Sequence, residues 1–157
     1  MAVTPNLARL KKLMAEITTD IAMTGARLNG LEQQTISLTG AGATKQLEAS
    51  DSGCVVFMGG SDPSTLTLPA VADGLRFTVY VTSAQIHIIQ AKSNVMQGNY
   101  RHNSATTTMT RVAIANKGKL TLHSSGRAIG DRLEFWCDGT NWYVDGIVSN
   151  ALTQGTV

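Results

Sequence analysis

The sequence is poor in the residue types that carry most enzymatic and nucleic-acid chemistry. Of its 157 residues only 15% are charged, 5% are aromatic, three are histidine and two are cysteine. The formal net charge is +2 and the basic residues are dispersed, so we expect no direct contact with nucleic acid. No apolar run approaches the length of a membrane span, and we therefore expect no membrane partner either.

Groupings of residues typical of catalytic and metal sites are also missing from the sequence. The three histidines, His87, His102 and His123, are widely separated and show no zinc-ligand spacing, so we expect them on the surface or on strand faces. Cys137 has no histidine or basic residue beside it and is predicted to be a buried small apolar residue. Whether it pairs with Cys54 is left open, because two cysteines define no disulfide framework. The chain is predicted not to be an enzyme, with no catalytic residue, metal site or cofactor.

The clearest pattern that is present lies in residues 1–34. Apolar residues recur there at alternating spacings of three and four, which indicates the seam of a heptad helix. Thr4 and Pro5 suit the first positions of a helix, and Gly30 suits its end. The residues predicted to make contacts along this helical arm are Leu7, Leu10, Met14, Ile17, Ile21, Leu28 and Leu31.

The arm has two candidate partners. Its apolar stripe packs either on the β-domain of its own chain or against copies of itself, and the narrowness of the seam favours self-association. The seam lacks the residue bias of strict dimers, which leaves a homotrimer as the expected state. An isolated helix of this length is marginally stable in water, so either partner has to supply its stability.

Residues 35–157 are predicted to form a β-domain of short strands. Leu75, Phe77, Val79 and Val81 alternate with polar residues, which is typical of a strand with one buried face. The run from Asp138 to Asn141 is a hairpin turn signal that brings Trp136, Trp142 and Tyr143 close together. The expected fold class is mainly β, a compact antiparallel β-sandwich or roll preceded by the helical arm.

A polar stretch from Ser93 to Thr110 is predicted to be the longest loop. Contact residues concentrate on loops held by a rigid scaffold, so this stretch is a candidate recognition surface. A solvated connection or a weak hairpin is the competing interpretation, and the composition favours it. The candidate recognition residues are Asn94, Gln97, Asn99, Tyr100, Arg101 and His102.

Two strings give the sequence a family resemblance. TLTLPAVADGLRFTVYVTSAQIHI and KLTLHSSGRAIGDRLEFWCDGTNWYVDG, which together span Thr65 to Gly146, resemble a β-module of structural proteins in tailed-bacteriophage virions. The match has a gap at the polar stretch, and DGTNWYVDG is its most specific part. Such modules occur in capsid decoration (cement) proteins and in head and tail fibres alike. The resemblance implies a virion structural role and no active site.

We therefore expect a capsid decoration protein. In this hypothesis a homotrimer binds the major capsid protein on the outer surface of the head and stabilises the shell, after synthesis in the bacterial host cytoplasm. The alternative is a head-fibre or tail-fibre receptor-binding module that recognises a bacterial surface glycan.

Overall fold

The structure is a computed structural model that describes residue 9 and residues 11–18, 33–103, 109–123 and 129–157. The chain divides into two compact units, Met1–Gln33 and Gln34–Val157. In the first unit residues 11–18 are helical, and their side chains are exposed. The predicted arm contacts Leu7, Leu10, Ile21, Leu28 and Leu31 lie outside the described residues.

The second unit is built from two β-sheets, as the mainly β prediction requires. The seven-stranded sheet has the order β1-β3-β5-β10-β11-β7-β8. Its strands are β1 (Thr35–Leu38), β3 (Val55–Met58), β5 (Asp73–Val81), β7 (Met96–Asn103), β8 (Met109–Lys117), β10 (Arg132–Asp138) and β11 (Trp142–Val148).

The five-stranded sheet has the order β12-β9-β6-β4-β2. Its strands are β2 (Thr44–Gln46), β4 (Ser64–Thr67), β6 (His87–Gln90), β9 (Lys119–Leu122) and β12 (Thr153–Gly155), and a short 3₁₀ helix, Ala49–Asp51, lies between β2 and β3. One hydrophobic cluster joins residues of both sheets, including Phe77 and Phe135 from the first sheet and Leu66 and Ile89 from the second. The core therefore lies between the inner faces of the two sheets.

The expected antiparallel architecture is wrong, because both sheets are mixed. The pairs β1–β3, β3–β5 and β7–β11 are parallel in the larger sheet, as are β2–β4 and β4–β6 in the smaller one. The physical reason is the path of the chain. From β1 to β6 the chain alternates between the sheets, so each strand returns to its sheet in the same direction as the strand before it.

The stretch from Ser93 to Thr110 is not a loop as a whole; it contains two antiparallel strands, in agreement with the competing hairpin interpretation. Residues 96–103 form β7 and residues 109–117 form β8, and these strands pair in an antiparallel register from Met96 and Lys117 to Asn103 and Met109. Residues 104–108 are outside the described part of the chain. Backbone pairing to β8 and β11 makes β7 a strand in spite of its polar composition.

Candidate binding surface of the seven-stranded sheet

The larger sheet has an inner face, which lies on the core, and an outer face, which carries the alternate side chains. The burial of β11 alternates strictly, with Trp142, Val144 and Val148 buried and Tyr143 and Ile147 exposed. Such alternation follows from the two-residue period of a strand. The outer face is therefore held by a rigid scaffold while its own side chains stay in contact with solvent.

A row of four side chains crosses the outer face near the β10–β11 turn. Arg76, Trp136, Tyr143 and Gln97 are successive register partners on β5, β10, β11 and β7. Trp136 is 37% exposed and Tyr143 is 42% exposed. Neighbouring strands lie about 4.8 Å apart, so the row is about 14 Å long. We call these four residues the aromatic row.

The β10–β11 turn holds one end of Tyr143 in place. The carboxylate of Asp138 accepts hydrogen bonds from the backbone N–H groups of Thr140 (2.8 Å) and Asn141 (2.7 Å) and from the hydroxyl of Tyr143 (3.0 Å). The two backbone hydrogen bonds hold the pKa of Asp138 below its ordinary value, and the bond from Asn141 has the larger effect. The bond to Asp138 in turn raises the pKa of Tyr143.

The Gln97 end of the row is braced by a second bond to the turn. The side-chain N–H of Gln97 donates to the amide oxygen of Asn141 at 3.0 Å. Because Asn141 is already bound to Asp138 through its backbone, Gln97 and Tyr143 are fixed to the same turn. The hairpin signal from Asp138 to Asn141 is thus confirmed, together with the proximity of Trp136 and Tyr143.

Farther from this turn, the outer face is a mixture of apolar and charged groups. The rings of Phe57 and Tyr80 stack with centroids 5.8 Å apart, and both side chains are half-buried. Arg132 lies beside Tyr80 and forms an ion pair with the half-buried Glu134 at 3.5 Å. Ile147, another register partner of Arg132, is 47% exposed. Apart from this ring pair, the apolar Ile147 lies beside a charged residue, Arg132.

A buried histidine occupies the inner face of the smaller sheet. His87 lies on a strand face, one of its two expected placements, and is completely buried, with Ser64 Oγ 2.7 Å from its Nδ1 and Ser83 Oγ 3.1 Å from its Nε2. Burial lowers the pKa of His87, and a hydrogen bond to the backbone of Ser83 acts in the opposite direction. Both ring nitrogens are thus satisfied by neutral groups, which suits the uncharged imidazole.

A buried carboxylate joins β10 to the end of β11. Asp131 Oδ1 accepts hydrogen bonds from the backbone N–H and the hydroxyl of Ser149, both at 2.7 Å. The backbone carbonyl of Asp131 accepts a further bond from Val81 at 2.9 Å. Burial raises the pKa of Asp131, and the bonds from Ser149 partly offset that effect. This role is structural, since the carboxylate fixes the start of the connection to β12.

The predicted recognition residues do not form one surface. Asn94 precedes β7, and its side-chain oxygen accepts a hydrogen bond from the backbone N–H of Val157. Tyr100 is buried, and its hydroxyl accepts a bond from Leu152 at 3.0 Å. Asn99 and Arg101 share the outward side of β7 with Gln97, whereas the half-buried His102 shares the Tyr100 side. Of these six residues only Gln97 belongs to the aromatic row. The sequence signal that could have located the row is the turn from Asp138 to Asn141, which lies next to it.

Both cysteines are free and buried, so Cys137 is buried as predicted. Burial raises the pKa of Cys54 to about 11, which keeps it a thiol at neutral pH. Within the described residues no group of three or more histidines, cysteines or carboxylates is arranged to hold a metal ion. No helix of the described part is long and apolar enough to cross a membrane.

Comparisons of the chain with protein-family models, with curated proteins and with solved structures find no match.

Proposed function

We propose that the chain is a structural protein of a tailed-phage virion that decorates the outer surface of the head as a homotrimer and stabilises the shell. The sequence resemblance between Thr65 and Gly146 supports the virion assignment. The proposal is carried by the contrast between the two units. The β-unit buries most of its apolar residues in one core, whereas Leu13, Met14 and Ile17 of the described helix are exposed.

The helix has the side-chain pattern of an element that needs a partner. Leu13, Met14 and Ile17 are 52%, 61% and 49% exposed. At 100° per residue they cover about 100° of the helix surface, and the exposed ion pair of Lys12 and Glu16 at 3.9 Å lies beside Leu13, on the side away from Met14 and Ile17. A helix of this kind gains most of its stability by burying its apolar side against a partner surface. Both self-association and contact with the major capsid protein supply such burial.

Substitutions on the two sides of the helix test this proposal. The double variant Met14→Ser/Ile17→Ser is expected to lose the trimer in light scattering and to lose cosedimentation with phage heads that lack the protein. The matched control, Lys12→Ser/Glu16→Ser, removes only an exposed ion pair and is expected to keep both properties. A wild-type chain that is monomeric and does not sediment with heads contradicts the proposal, as does an apolar-side variant that behaves like the control.

A head-fibre or tail-fibre receptor-binding module is the second candidate function. The exposed ring pair Trp136–Tyr143, set among hydrogen-bonding groups, favours it. Copy number separates the two candidates. A stoichiometry close to that of the major capsid protein supports decoration of the head, whereas a few copies at one vertex or on the tail support a fibre.

A further inference from the structure

The aromatic row has hydrogen-bonding groups that the rest of the described chain leaves unused. The guanidinium of Arg76 and the indole N–H of Trp136 have no hydrogen-bond or ion-pair partner among the described residues, although the two residues are register partners. At the other end, the amide of Gln97 uses its N–H group on Asn141 and keeps its carbonyl oxygen for another donor. Donors, two ring surfaces and an acceptor therefore follow one another along one line.

The size of the row argues against a large protein partner. A fully buried aromatic side chain covers about 150–250 Å², and Trp136 and Tyr143 are less than half exposed, so their free surface is on the order of 200 Å². A stable protein interface needs about 800 Å² on each partner. Polar groups border the row, including the acidic residues Glu134 on β10 and Asp145 on β11, which are register partners of each other. The row suits a narrow ligand better than a broad apolar surface.

The chemistry of the row matches a sugar chain. A pyranose ring has a face of C–H groups, which packs on an aromatic ring, and an edge of hydroxyl groups that both donate and accept hydrogen bonds. The rings of Trp136 and Tyr143 offer the flat apolar surfaces, Arg76 and the Trp136 indole offer donors, and Gln97 offers an acceptor. A length of about 14 Å is sufficient for several linked rings rather than one.

We infer that the aromatic row is a binding site for an oligosaccharide, whose rings pack on Trp136 and Tyr143 and whose oxygens accept hydrogen bonds from Arg76 and Trp136. The site is organised in advance of binding. The bonds among Asp138, Asn141, Tyr143 and Gln97 restrict the side chains at one end of the row, which lowers the entropic cost of complex formation.

The test is saccharide binding by the full chain. The wild-type protein is screened on an array of immobilised bacterial capsular and O-chain oligosaccharides, and the best free oligosaccharide is titrated by calorimetry. Trp136→Ala is expected to weaken binding about tenfold, and Arg76→Ala about threefold to tenfold. The control is Ile147→Ala, which removes an exposed apolar side chain from the same sheet face outside the row and is expected to leave the affinity unchanged.

Two results overturn the inference. One is the absence of wild-type binding to every oligosaccharide on the array. The other is a Trp136→Ala protein that unfolds at the wild-type temperature and binds with wild-type affinity. The inference does not rest on decoration of the head, because cosedimentation with heads is measured separately. A Trp136→Ala protein that still sediments with heads and no longer binds the saccharide supports two separate surfaces.

Discussion

Trp142 and Tyr143 are adjacent in β11, yet the first is completely buried and the second is 42% exposed. The same contrast runs through the larger sheet, where inner side chains pack against the smaller sheet and outer ones face solvent. Because side chains alternate between the two faces of a strand, the core residues lie on one face and the side chains of the other face remain accessible to solvent. Core residues and the residues of the aromatic row therefore occupy opposite faces of the same strands.

The largest expected effect is the loss of a ring from the inner face. Trp142→Ala removes a fully buried side chain that packs on Phe77 with ring centroids 5.7 Å apart, and it should lower the free energy of unfolding by about 3–5 kcal/mol. Tyr143→Ala, one residue away on the outer face, should lower it by about 1 kcal/mol or less. Denaturant unfolding of the two variants checks the comparison, which fails if their losses are equal.

An inner-face glycine provides the next test. Gly98 has φ +127°, and a Cβ atom at this position would overlap the backbone carbonyl of Val144 on the adjacent strand. Gly98→Ala is therefore expected to cost about 3 kcal/mol, through strain and displacement of β7 from β11. Gly42→Ala is the control, because Gly42 has φ +61° but open space around it, and about 1 kcal/mol is expected. Equal costs for the two variants would show that backbone conformation alone decides the effect.

The smallest expected effect is a pH dependence from the buried His87. Its pKa is lowered in the folded chain, so below about pH 6.5 the unfolded chain binds a proton that the folded chain does not. The contribution of His87 to stability is therefore complete above pH 6.5 and falls as the pH decreases, by at most about 1.4 kcal/mol per pH unit.

His87→Gln should remove this slope in unfolding free energies measured between pH 7 and pH 5, roughly the range in which histidine titrates. The exposed His123, whose Nε2 lies 2.6 Å from the Thr153 hydroxyl oxygen, supplies the control. His123→Gln should keep the wild-type slope. If His87→Gln keeps it as well, the buried imidazole is not the origin of the pH dependence.

Alternation of apolar residues was enough to predict the inner face of several strands. Leu75, Phe77, Val79 and Val81 are all buried, as expected from their period of two. Turn chemistry was similarly informative, because an Asp side chain followed by Gly-Thr-Asn bonds the backbone of its own turn. These features are local, so the residues that determine them lie within a few positions of one another.

Strand direction and strand partners could not be predicted in the same way. Parallel and antiparallel strands share a period of two. The apolar pattern of β3 and β4 therefore does not show that each pairs in parallel with the next strand of its own sheet. The stretch that contains β7 could be predicted only as a loop or a weak hairpin, because Gln97, Gly98 and Asn99 have low strand propensity and the pairing with β11 is distant in sequence. The aromatic row brings together residues of four strands. Only the turn between its two central strands, β10 and β11, could be predicted from the sequence.

The order of strands in the larger sheet has a consequence for synthesis on the ribosome. Within the described residues the first strand, β1, pairs only with β3. In turn β3 pairs with β5, and β5 pairs with β10, which lies more than fifty residues farther along the chain. The edge of β5 that faces β10 therefore stays unpaired until β10 has emerged, although β1, β3 and β5 can pair with one another earlier. Such long-range pairing slows folding and lengthens the time during which strand edges are unpaired.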